Sequence, residues 1–186
     1  TADDGCIVTT INSNGGQLVS KLYRFNFDKD KEIWTSQNID TLVISTQIRD
    51  DGTIVAFGDT KCAYYNTNGE YIGSYPYKSK LIDYDCSGTV TALLFENEER
   101  RNSSLVLIKD IKSEIKEINI DNEAKHVITD GDNTLLMTGS KIDEYSINGT
   151  MKSTVSIGDE YTDFHKLGNY IFLLGYSDIN RIDFNG

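Results

Sequence analysis

Three stretches of this chain can be laid over one another without a gap: Lys61-Cys62-Ala63-Tyr64-Tyr65-Asn66-Thr67-Asn68-Gly69, Lys141-Ile142-Asp143-Glu144-Tyr145-Ser146-Ile147-Asn148-Gly149, and Asp178-Ile179-Asn180-Arg181-Ile182-Asp183-Phe184-Asn185-Gly186. Each is a short run with apolar residues spaced for a strand, and each ends in Asn-Gly. That dipeptide after a strand-like run is a strong hairpin signal, because both residues tolerate the positive φ of a type I′ turn. The three stretches therefore predict three equivalent strand-to-strand corners. A fourth copy, Leu22 to Lys29, keeps the apolar positions and replaces Asn-Gly by Asp28-Lys29, with the corner lengthened toward Asp30.

Upstream of the copies lie β-rich runs that each follow a turn: Cys6 to Ile11, Thr53 to Phe57, Thr134 to Thr138 and Tyr170 to Leu174. A fifth, Thr89 to Phe95, precedes an insertion at Asn97 to Ser104 and a degenerate third strand, Leu105 to Ile108. The later runs begin at residues 53, 89, 134 and 170, in steps of 36, 45 and 36. A repeat of this length fits a four-stranded propeller blade, typically about 40–45 residues. Innermost strands are expected at Leu42–Ile48, Leu81–Tyr84, Lys125–Thr129 and Tyr161–His165. Outer strands are expected at Glu32–Thr35, Glu70–Tyr77, Glu114–Ile120 and Thr150–Ile157.

The expected fold is thus all-β, a partial β-propeller of about four to five four-stranded blades whose ring is incomplete within this chain. It reads as one segment, 1–186, divided into a blade lacking its first strand (1–37), three full blades (38–78, 79–121 and 122–158) and a blade lacking its last strand (159–186). A β-sandwich also places strands every ten residues or so, but does not require nine-residue segments to repeat in register. Helix-like composition is confined to Glu96–Arg101 and Lys109–Glu117, and the latter alternates Ile111, Ile115 and Ile118 without sustaining a full amphipathic face.

The elements Asp50-Asp51-Gly52-Thr53-Ile54-Val55-Ala56-Phe57 and Tyr64-Tyr65-Asn66-Thr67-Asn68-Gly69-Glu70 resemble the blades of quinoprotein-like and WD-repeat-like propellers. With its bias toward Ile, Lys, Asn and Tyr, the pattern is similar to uncharacterised extracellular propeller proteins of clostridial, Gram-positive type. That resemblance implies a cell-surface location, with a membrane anchor outside this sequence. Trp-Asp at strand ends and Gly-His at blade starts are missing, which argues against a eukaryotic scaffold role.

Composition narrows the function. A formal net charge of -11 opposes binding to a phosphate backbone, since such affinity comes from Lys and Arg displacing counterions. No run approaches the roughly 18 apolar residues of a membrane span. The opening Thr1-Ala2-Asp3-Asp4-Gly5 has neither a basic nor an apolar targeting region. Cys6, Cys62 and Cys86 are scattered and read as small buried hydrophobes, without zinc-ligand spacing. No metal or cofactor is indicated, and oligomeric state is left open.

Polar residues on innermost strands are the natural ligand candidates, namely Arg49, Asp83, Asp85, His126, Asp163 and His165. Solvated wall or bonding between blades is the competing role for all six. Asp28, Asp30 and Glu32 alternate as calcium ligands do but lack the twelve-residue loop, and a lengthened turn explains them. Tyr71, Tyr75 and Tyr77 alternate along an outer strand and would present one face to a glycan, a protein or a neighbouring sheet. Trp34 is expected to fill a gap between blades. Two functions follow: a non-catalytic module binding a protein or glycan, or a glycan-active enzyme using Asp83 and Asp163 as a carboxylate pair.

Overall fold

The computed structural model describes residues 5–27, 31–97, 99, 102–158 and 160–184. Every regular element among them is a strand, and the strands form five antiparallel sheets, each meandering in chain order. The fold is the all-β, bladed architecture expected. Residues 1–78 and 79–186 form two compact units.

The first unit holds two sheets. One contains β1 (Gly5–Asn14), β2 (Gln17–Asn26) and β3 (Lys31–Thr35); the other contains β4 (Val43–Ile48), β5 (Ile54–Gly58), β6 (Lys61–Tyr65) and β7 (Tyr71–Pro76). The second unit holds three. They are β8 (Lys80–Ser87) to β11 (Glu114–Ile120), β12 (Ala124–Asp130) to β15 (Met151–Ser156), and β16 (Asp163–Leu167) with β17 (Tyr170–Leu174) and β18 (Ile179–Asp183). Between β8 and β11 run β9 (Val90–Asn97) and β10 (Asn102–Asp110), and between β12 and β15 run β13 (Asn133–Thr138) and β14 (Lys141–Ser146).

Burial explains why the second strands are apolar without alternation. All five residues of β5 are buried, as are the first six of β9. A strand covered on both faces has no solvent side on which to place polar residues. In β13, Leu136 packs with Val90, Leu94 and Leu107 of the preceding sheet, whereas Leu135 and Met137 pack with Phe164, Ile171 and Leu173 of the following one. Period-two alternation therefore distributes one strand between two cores. In the first unit Leu22, Ile39, Val43, Ile54 and Tyr65 form the equivalent layer. The outer strands β11 and β15 are largely exposed and β7 is half-buried, and Pro76 closes β7 at an edge where no ladder donor is needed.

Several local expectations change. The Asn-Gly corners are not two-residue type I′ turns. Gly69 N–H donates to Asn66 C=O while Asn66 N–H donates to Glu70 C=O, and Ser146, Gly149 and Thr150 repeat the pattern. This three-residue loop puts its glycine in the left-handed region, at φ 78° for Gly69 and 79° for Gly149. The third Asn-Gly, at 185–186, and the Asp28-Lys29-Asp30 corner lie outside the described residues. Within the expected insertion at Asn97–Ser104, residues 97 and 102–104 are ladder, with Asn102 pairing Asn97 and Ser104 pairing Phe95. The degenerate strand is thus only the inner part of β10. The described residues of both helix-like stretches are strand or turn. The first hairpin is also longer than its repeat, ten residues per strand around Gly15-Gly16.

Candidate functional site

In the second unit, the first strands β8, β12 and β16 contribute residues to a cleft of about 380 Å³. Counting back from the turn glycines Gly88, Gly131 and Gly168, the fifth residue is Asp83, His126 and Asp163 in turn. The three are equivalent positions of successive sheets. Asp83 and His126 each follow a β-bulge, where Ile82 and Lys125 are the unpaired extra residues. A bulge bends the strand and re-aims the next side chain. The first unit carries the same bulge in β4, before Ser45.

Asp83 Oδ2 accepts the backbone N–H of Val127 at 2.8 Å, and Asp83 Oδ1 accepts the N–H of Tyr84 at 2.9 Å. Asp85 Oδ2 accepts both the N–H of Thr129, at 2.7 Å, and its hydroxyl, at 2.8 Å. The geometry has a simple cause. The free edge of β12, opposite β13, presents alternate N–H groups at Val127 and Thr129, and carboxylates two residues apart on β8 match that spacing. Buried donors are thereby satisfied without a continuous sheet.

His126 Nδ1 lies 3.4 Å from Asp83 Oδ2 and 3.9 Å from Asp163 Oδ1. Its pKa is raised, first through the hydrogen bond with Asp83, against the opposing effect of burial, with further help from the Asp163 charge. Asp163 Oδ1 also accepts the Phe164 N–H at 2.7 Å. His165 is exposed on the same cleft, and Lys166 is ion-paired with Asp130 at its lip.

Five of the six residues singled out from the sequence therefore line one cleft. Arg49 does not. It is buried in the β4–β5 turn of the first unit, where it pairs with Asp51 at 3.0 Å. Thr129, which donates two hydrogen bonds from β12 to the β8 carboxylates, carried no sequence signal of its own. The equivalence of Asp83, His126 and Asp163 was legible as a constant offset from the turn glycines. Among the described residues no three His, Cys, Asp or Glu side chains are grouped to hold a metal, and no helix is long and apolar enough to cross a membrane.

The turns below the cleft interlock. Gly88, at φ 52°, comes so close to Gly131 that a β-carbon would stand 2.5 Å from the Gly131 carbonyl oxygen, and the Thr89 hydroxyl donates to Asp132 at 3.0 Å. In the first unit Trp34 fills the expected gap between sheets, donating its indole N–H to Thr67 C=O at 3.0 Å.

Comparison with solved structures agrees with this architecture. The chain is similar to Saccharomyces cerevisiae Sqt1 (TM-score 0.64, 12% identity, 99% of this chain and 60% of that one). It is also similar to the WD40 domain of Toxoplasma gondii coronin (0.63, 10%, 91% and 53%) and to BamB from Moraxella catarrhalis (0.58, 9%, 92% and 57%). At these identities the likeness concerns the fold alone, which is a β-propeller of WD40-like and BamB-like type. The chain spans 53–60% of the length of these three propellers. No curated protein matches its sequence. The model of DUF5711, described as a family of unknown function, matches residues 3–184, and the chain belongs to that family.

Proposed function

We propose that this propeller segment is a non-catalytic binding or scaffolding module for a protein or glycan. The observation that carries the reading is the engagement of Asp83 and Asp85 by the backbone of β12. The acidic row that a catalytic reading needs is the connection between two sheets. A glycosidase pair also needs its carboxyls about 5–10 Å apart with substrate or water between them. Here the His126 imidazole contacts both Asp83 and Asp163 and occupies that gap. Placement on the surface of a Gram-positive cell is the location we favour, on the strength of the sequence resemblance alone.

The test assays the purified chain on a panel of 4-nitrophenyl glycosides and on a glycan and envelope-protein array. Binding without turnover is the expected result. Hydrolysis abolished by Asp163→Asn, with an unchanged circular dichroism spectrum, overturns the reading in favour of a glycan-active enzyme.

A further inference from the structure

A second cavity, of about 660 Å³, lies in the first unit, and Tyr71 is the one candidate contact residue named from the sequence that lines it. It is bounded by the connection after β3, residues 35–40, and by β6 with its turn into β7. We propose that it is a saccharide-binding site.

Both walls are held in place. On one side Ser36 N–H donates to Leu22 C=O and the Ser36 hydroxyl accepts the Leu22 N–H at 3.0 Å, while Ile39 and Ser20 exchange backbone bonds. On the other, Asn66 Oδ1 accepts the N–H groups of Asn68 and Glu70, and the Asn66 amide donates to the Glu70 carboxylate at 2.6 Å. The Trp34 ring then packs against Gly69, where a β-carbon would fall 2.5 Å from the indole. A cavity with fixed walls avoids the ordering cost of binding, and its size lies within the range of about 300–1,000 Å³ that small-molecule sites occupy.

The lining selects the ligand class. Its charged side chains are Lys61, Asp40 and Glu70, and Lys61 is ion-paired with Asp40. No cation remains for a phosphate or carboxylate. Among the described residues, the side-chain amides of Gln37, Asn38 and Asn68 make no hydrogen bond within the chain, and all three are exposed. Each offers two donors and an acceptor, which suits hydroxyls that must both give and receive.

An aromatic pair completes the set. Tyr71 is 59% exposed and meets the buried Tyr65 edge to face at 5.8 Å. Burial pushes the Tyr65 hydroxyl up to about 12, so it remains a neutral donor and acceptor. Uncharged amides and one carboxylate around tyrosine rings match a pyranose, with its apolar C–H face and its ring of hydroxyls.

This inference rests on the binding-module reading and narrows its ligand. Trp34 is the sole tryptophan and touches the cavity turn, so its fluorescence reports occupancy. The intact chain is titrated with N,N′-diacetylchitobiose, cellobiose and maltose, with acetyl-Gly-Ser-amide as the peptide probe. A saturable response to at least one disaccharide, with a dissociation constant of about millimolar or tighter, is expected. Tyr71→Ala and Asn38→Ala should each weaken it by about tenfold or more, whereas Tyr176→Ala, which removes an exposed tyrosine elsewhere, leaves it unchanged. No response to any of the three sugars, a response only to the peptide, or binding indifferent to both cavity variants overturns the proposal. Those failures leave the absence of glycoside turnover untouched, so the broader reading stands or falls by its own assay.

Discussion

Asp83 lies 44 residues before Val127 and accepts its backbone N–H at 2.8 Å, so that a side chain of one sheet completes the edge of the next. Removing that acceptor should destabilise the second unit. Asp83→Ala and Asp85→Ala are each expected to cost about 1–3 kcal/mol, the range for a charged acceptor whose loss strands a partly buried donor. For a chain of this size each kcal/mol lowers the melting temperature by about 2–4 °C. Asp83→Asn keeps an acceptor oxygen and should fall between wild type and alanine in the same thermal melts.

His126 should make stability depend on pH with a definite sign. Its folded-state pKa is raised above the unfolded value of about 6.5. The imidazolium's contribution is therefore fully present below about pH 6.5 and is lost as pH rises through the folded pKa. Asp83 on β8, Asp163 on β16 and the backbone of Thr162 are the groups that favour the charged form. Urea midpoints measured from acid to alkaline pH should show His126→Gln further below wild type at low pH than at high pH. A gap that widens with pH contradicts the arrangement.

Two glycines with similar dihedrals should respond differently to alanine. Gly88 and Gly131 both have positive φ, but a β-carbon at Gly88 strikes the Gly131 backbone, while one at Gly131 meets nothing within 4 Å. Gly131→Ala is expected to cost about 1 kcal/mol, the penalty of the left-handed region alone. Gly88→Ala adds a clash between two turns and should cost about 2 kcal/mol or more. Equal losses in chemical denaturation would mean that the turns do not pack as described.

The cysteines should separate by reactivity. Cys62 is buried and its thiol is pushed up to about 11, chiefly by desolvation, and Cys86 is also buried, whereas Cys6 is half-buried. The thiolate is the reactive species. Iodoacetamide at about pH 8 should alkylate Cys6 first and leave Cys62 unmodified until the chain is unfolded, as peptide mass mapping will show.

Trp34→Phe should remove the hydrogen bond to Thr67 while keeping most of the ring contact with Gly69. A loss of about 0.5–1.5 kcal/mol is expected for a neutral bond of this kind. The β6–β7 turn should then exchange its amide hydrogens faster, because the indole is one of the groups fixing it.

The sequence by itself determined the blades. Asn-Gly corners, turn glycines and predominantly apolar second strands are local signals, since they record backbone dihedrals and burial on both faces. Strand order follows from them because each sheet is a meander, and even the equivalence of Asp83, His126 and Asp163 is a matter of counting from Gly88, Gly131 and Gly168. What only the tertiary structure decided is which side chain reaches which neighbour. The bulges at Ile82 and Lys125 have no marker in composition, yet they set where Asp83 and His126 point. Arg49 read as a wall residue and is a turn residue, because an extended turn placed it against Asp51. The cavity between Gln37 and Tyr71 joins segments whose pairing depends on how two finished sheets pack, and strand patterning within one sheet carries no record of the register between sheets.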